Sequence, residues 1–123
     1  RAPAGPPPRA LPGHWAHEHG LRAEERAIEC YQKKEYTLLQ QRVRTPFAEV
    51  DLLLETPEGH LLIVEVKSVS HPDFIPARIS KRQKQRLQRA MIYLAEKYKT
   101  PVEINWAFVG PFEVTVIEDI TSF

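Results

Sequence analysis

The sequence predicts a single α+β domain, an α/β arrangement of order αβββαββ with one central mixed sheet of about five strands flanked by helices. Three observations predict it. Apolar residues recur at helical spacing in two segments, and alternate or run together over short stretches in the others. Thr45-Pro46, Pro57-Glu58-Gly59 and Gly110-Pro111 punctuate the strand-like stretches as turns do. The chain has 123 residues, 42% of them hydrophobic, which suffices for one core and not for two.

Residues 1 to 19 are set apart as a Pro-rich segment. The first 13 carry five Pro and two Gly and almost no large apolar side chain, a composition that favours an extended, mobile chain. His14, His17 and His19 lie close together, but a His cluster on such a segment is more often incidental than ligating. The domain is expected over residues 20 to 123. Helix 1 begins at Gly20, where Ala23, Ala27, Cys30 and Tyr31 form an apolar stripe among charged residues, and ends near Lys34.

Three β-rich runs follow, Tyr36 to Arg44, Ala48 to Thr56 and His60 to Ser68, a meander. A loop with Pro72 and Pro76 leads to Ser80, which opens a long helix whose stripe is Leu87, Met91, Leu94 and Ala95 or Tyr98. Lys99-Thr100-Pro101 closes it. Val102 to Val109 and Phe112 to Ile120 read as a last hairpin with a tight turn at Gly110-Pro111.

The lone Cys30 can neither staple the fold nor build a four-Cys site, so a reducing cytoplasm is the expected compartment. The longest apolar run, Leu61 to Val64, is far shorter than a membrane span. No membrane association is expected.

The net charge of +1 hides a segregation along the chain. Five acids and no Lys or Arg fall between Ala48 and Glu65. Between Arg78 and Lys99 there are eight bases and one acid, Glu96. Carboxylates that hold a cation beside bases that hold phosphates would suit an enzyme acting on a polyanion. Two solvated faces would produce the same statistics.

Glu65 and Lys67 interrupt an otherwise apolar strand and point to the same face. Pro57-Glu58-Gly59 suits a three-residue hairpin loop, with Gly supplying the left-handed position. Thr56 then pairs with His60, which sets Asp51 across from Glu65 and Glu49 across from Lys67. A one-residue slip would turn Asp51 away. Opposed carboxylates repel unless a cation or proton lies between them. Asp51, Glu65, the Val66 carbonyl and waters are hard oxygen donors that favour Mg²⁺ or Mn²⁺. The competing reading is a surface ion network, with Glu65 and Lys67 paired to each other or to Glu49.

Helix 1, a strand with Asp51, a strand with Glu65-Val66-Lys67 and a basic helix together resemble the PD-(D/E)xK nuclease superfamily, the restriction endonuclease-like fold. More closely, the chain from about Gly20 to Phe123 resembles the YraN-like family of predicted endonucleases. Glu24, Ala27 and Tyr31 in helix 1, Glu35-Tyr36, Ala48-Glu49-Val50-Asp51-Leu52, Glu65-Val66-Lys67, the helix around Gln83 to Leu94 and the closing Ile117 to Phe123 carry the likeness. Val50 departs from the superfamily's frequent Pro, Ala48 departs from the family's usual Gly, and the Pro-rich leader has no counterpart.

The resemblance implies metal-dependent hydrolysis of nucleic-acid phosphodiester bonds, with DNA as the expected substrate. Asp51 and Glu65 would hold the metal, and Lys67 would be an electrostatic clamp on water and phosphate. Glu24 would complete the metal's surroundings or orient the water, unless it is only an exposed acid near a helix start. Glu49 would support Lys67. Lys81, Arg82, Lys84, Gln85, Arg86, Gln88 and Arg89 would track phosphates without reading sequence. A homodimer is a further implication, since relatives that cut two strands symmetrically are two-fold dimers. The alternative is a catalytically silent nuclease fold that binds nucleic acid or a protein through the basic helix.

Overall fold

Seven elements form, in the order the sequence predicts. The computed structural model describes residues 12–70 and 79–119, with side chains from residue 22 onward. They comprise α1 (Pro12–Gln32), β1 (Thr37–Arg44), β2 (Glu49–Glu55), β3 (Leu61–Ser68), α2 (Lys81–Tyr98), β4 (Val102–Val109) and β5 (Val114–Asp119). The expected leader before residue 12, the loop prolines Pro72 and Pro76, Arg78 and the closing residues from 120 lie outside the described residues. So do the side chains of His14, His17 and His19.

Two boundaries move for identifiable reasons. Helix α1 starts at Pro12, not Gly20. Proline lacks an N–H that a first-turn residue would leave unbonded anyway, and its fixed φ suits a helix start. Strand β5 starts at Val114, not Phe112. Gly110 N–H donates to the Glu113 carbonyl at 2.8 Å, which closes a turn over Pro111 and Phe112. Pro111 has no N–H for a ladder.

The helix ends of α2 follow the sequence. The Ser80 hydroxyl accepts from Gln83 N–H at 3.1 Å, and Lys99 closes the last turn in the left-handed conformation at φ 55°.

The five strands lie side by side in chain order. All pairs are antiparallel except β3 with β4, where Leu61 meets Val102 and Ser68 meets Val109. Helix α2 is the crossover that a parallel pair requires. Its 18 residues span about 27 Å, against about 26 Å for the eight-residue β3. It therefore leaves from the end of β3 and returns the chain to the start of β4. This mixed sheet with a helix on each face is a restriction endonuclease-like core.

Each face has its own core. Leu53, Ile63, Ile104, Trp106 and Phe108 pack with Leu87, Ala90, Met91 and Leu94 of α2. Of the expected alternatives Ala95 packs against this core and Tyr98 is 48% exposed, while Ala90 joins the stripe. On the other face Leu52, Leu54, Leu62, Val64 and Ala107 pack with Ala23, Ala27 and Tyr31 of α1. Buried there, Asn105 Nδ2 donates to the Tyr31 hydroxyl at 2.9 Å. Burial holds that phenol up at about 12, so it stays a neutral partner.

Met91 is fully buried, so Met91→Ala should lower the free energy of unfolding by about 2–5 kcal/mol. Tyr98→Ala should change it by less than about 0.5 kcal/mol. Urea denaturation of the two variants checks the contrast.

Candidate functional site

The β2–β3 turn fixes the site. Thr56 N–H donates to the His60 carbonyl at 2.8 Å, Gly59 N–H returns to the Thr56 carbonyl at 2.9 Å, and Gly59 takes φ +90°. The ladder runs from Glu55–Leu61 to Leu52–Val64. The next step sets Asp51 against Glu65, in the register the turn predicts.

There the backbone pairing gives way to side chains. Asp51 N–H donates to Glu65 Oε2 at 2.9 Å, and Val66 N–H donates to Asp51 Oδ2 at 2.8 Å. Each carboxylate thus satisfies an amide of the opposing strand. Asp51 Oδ1 and Glu65 Oε1 take no part in these two bonds.

The chain also rotates at this point. Val50 packs on the α2 face and Leu52 on the α1 face, although strict alternation would put them on one side. In β1, Arg42 lies between the pairs Gln41–Leu52 and Val43–Val50, opposite Asp51, and has φ 54°. A left-handed Arg in an edge strand is uncommon. Its guanidinium crosses to α1 and donates to Glu24 Oε1 at 2.9 Å.

Glu24 is therefore not an exposed first-turn acid. It is 8% exposed, with Arg42 as its counter-ion. Burial raises its pKa, Arg42 lowers it, and Asp51 and Glu49 raise it, which places Glu24 within electrostatic reach of the β2 acids. Burial also raises Asp51, against the Val66 N–H and the charges of Lys67 and Arg42. Glu65, 7% exposed, is pushed up to about 8, first by burial and then by Asp51. A surface ion network does not describe an acid so enclosed.

The structure thus brings together Glu24, Asp51, Glu65, Lys67 and Arg42. Sequence reasoning missed Arg42, because an Arg in a strand does not announce a left-handed backbone. Glu49, expected to support Lys67, pairs with Arg44 of β1 at 3.5 Å, with both side chains exposed. The Arg44 geometry could not be read from the turn that fixed β2 against β3.

A hard cation could be held by Asp51, Glu65 and the Val66 carbonyl. Among the described residues no three Asp, Glu, His or Cys side chains form a closed metal cage. Two carboxylates with room for water are a donor set suited to Mg²⁺ or Mn²⁺. The surplus of buried negative charge is what such an ion would relieve.

Helix α2 starts at the end of the sheet where β3 ends, the end that carries Glu65 and Lys67. Lys81, Arg82, Lys84, Gln85, Arg86 and Arg89 are exposed, and Gln88 is half-buried. Arg82, Gln85, Arg86 and Arg89 line a hollow of about 350 Å³. No helix among the described residues is long and apolar enough to cross a membrane.

Comparison with known proteins places these features in a family context. The model of an uncharacterised protein family, UPF0102, matches residues 23–117. A UPF0102 protein of Ruegeria sp. (strain TM1040) is 36% identical over 112 residues, covering 87% of this chain and 90% of the relative. One from Corynebacterium glutamicum is 31% identical over 109 residues, covering 82% and 89%. A third, from Thermus thermophilus, is 34% identical over 102 residues, covering 81% and 84%.

An acid whose pKa rises on folding takes up a proton, so its contribution to stability is lost as pH rises from the unfolded value near 4.5 through about 8. In metal-free buffer, Glu65→Gln should therefore become more stable relative to the wild type between pH 5 and pH 9. Thermal melts of both proteins across that range read the difference, and a constant difference would contradict the burial of this charge.

Proposed function

From its membership of UPF0102, the YraN-like family, to which the chain belongs, we propose that this protein is a metal-dependent nuclease that hydrolyses nucleic-acid phosphodiester bonds, a DNA-processing endonuclease. The observation that carries the reading is the buried Glu65 facing the half-buried Asp51, with Lys67 beside them.

Asp51 and Glu65 would hold Mg²⁺ or Mn²⁺, with the Val66 carbonyl as a further oxygen donor. The bound metal would polarise the scissile phosphate and lower the pKa of a water molecule. The two opposing amides keep both carboxylates oriented before any ligand arrives, so little reorganisation accompanies substrate binding. Lys67 supplies positive charge where the phosphate gathers negative charge. Glu24, steadied by Arg42, orients water at the edge of the acid pair. The basic face of α2 carries the nucleic-acid backbone through contacts that do not read sequence and that weaken with salt.

A silent binding module would keep the α2 contacts and use neither carboxylate. The two readings part in one assay. Labelled single-stranded, duplex, flap and four-way-junction DNA are incubated with Mg²⁺ or Mn²⁺. Cleavage should require the metal and fall about 10²-fold or more in Glu65→Gln and in Lys67→Ala. Salt-sensitive binding without cleavage would establish the silent module instead.

A further inference from the structure

The turn between β4 and β5 sits at the catalytic end of the sheet. Ser68 of β3 lies beside Val109 of β4, and Val69 N–H donates to the Val109 carbonyl at 3.0 Å. Gly110 to Glu113 follow directly. Helix α1 ties this turn to the acid cluster: Glu24 reaches Arg42, and Arg26, two residues further on, donates to the Gly110 carbonyl.

Phe112 stands on this turn, 93% exposed. Neither its backbone nor its position is loose. Pro111 fixes the preceding φ, the Gly110–Glu113 hydrogen bond closes the turn, and Arg26 anchors it to α1. A ring presented on a fixed turn loses little freedom when another ring stacks on it.

The ring opens onto a groove of about 340 Å³ between this turn and α1. Arg26, Lys33 and Lys34 line it, together with the acids Glu29 and Glu113. Cations outnumber acids, and they extend away from the acid cluster along α1. Arg26 of α1 and Lys33, just past its end, are seven residues apart, about 10 Å at helical rise.

We propose that Phe112 is a stacking platform for an unpaired base, and that the groove beside it carries the phosphates of a single strand leaving the catalytic edge. The substrate class is then nucleic acid with an unpaired segment rather than continuous duplex. A continuous duplex keeps its base faces inside the stack, whereas every unpaired base offers a face to an aromatic ring. This inference rests on the nuclease reading above and names the substrate of that site.

The test measures fluorescence anisotropy of labelled single-stranded and duplex DNA of equal length, in metal-free buffer, with the full chain. Phe112→Ala should weaken single-strand binding about 5- to 100-fold and leave duplex binding unchanged. Phe112→Trp should restore it. Since Phe112 packs against little, circular dichroism should show all three proteins equally folded. Equal single-strand affinity in wild type and Phe112→Ala overturns the proposal, as does an equal loss on both substrates. A loss of self-association in Phe112→Ala without a change in single-strand affinity overturns it in favour of a protein contact. If the wild type binds no nucleic acid, this proposal and the nuclease reading fall together. If the wild type cleaves DNA while Phe112→Ala binds normally, only the stacking proposal falls.

Discussion

Two carboxylates that each accept an amide hydrogen from the opposite strand hold β2 and β3 together where their ladder stops. Asp51 and Glu65 take over the work of backbone carbonyls at 2.8 and 2.9 Å. The arrangement joins like charges where one, Glu65, is buried and the other, Asp51, half-buried, which costs free energy without compensation. Arg42 and Lys67 offset part of the charge, and a raised pKa at Glu65 absorbs more. A cation between them would offset the rest, which is the role proposed for Mg²⁺ or Mn²⁺.

The rest of the fold can be understood as what keeps that pair in place. A three-residue turn with Gly59 at φ +90° sets the register, and a slip of one residue would point Asp51 away from Glu65. The fully buried Ile63 and Val64 anchor β3 from opposite faces just before Glu65. Helix α1, held to β4 by Asn105 and Tyr31, delivers Glu24 to the same end of the sheet. Helix α2, forced by the parallel pairing of β3 and β4, begins at that end with its basic residues exposed.

Much of this was legible in the sequence because it depends on local chemistry. Pro57-Glu58-Gly59 specifies a turn, the turn specifies a register, and the register opposes Asp51 to Glu65. Ser80 and Lys99 mark the ends of α2 in the same local way. The missed features are those that tertiary contacts decide. The left-handed Arg42 has no signal in residue type, since Gly or Asn would ordinarily mark such a position. Glu24 is a site candidate only through the family resemblance, since its burial depends on α1 being laid across the sheet. The pairing of Glu49 with Arg44 depends on β1, which the β2–β3 turn does not place. Phe112 reads as a strand residue because its β propensity conceals the hydrogen bond that closes the turn around it.

The account stands on the claim that Asp51 and Glu65 form one cation site. Isothermal titration of Mn²⁺ into the full chain, without nucleic acid, measures that claim without reference to catalysis. It predicts saturable binding to the wild type that is lost in both Asp51→Asn and Glu65→Gln while both variants remain folded. Mn²⁺ binding that persists unchanged in both variants, or its absence from the wild type, would contradict it.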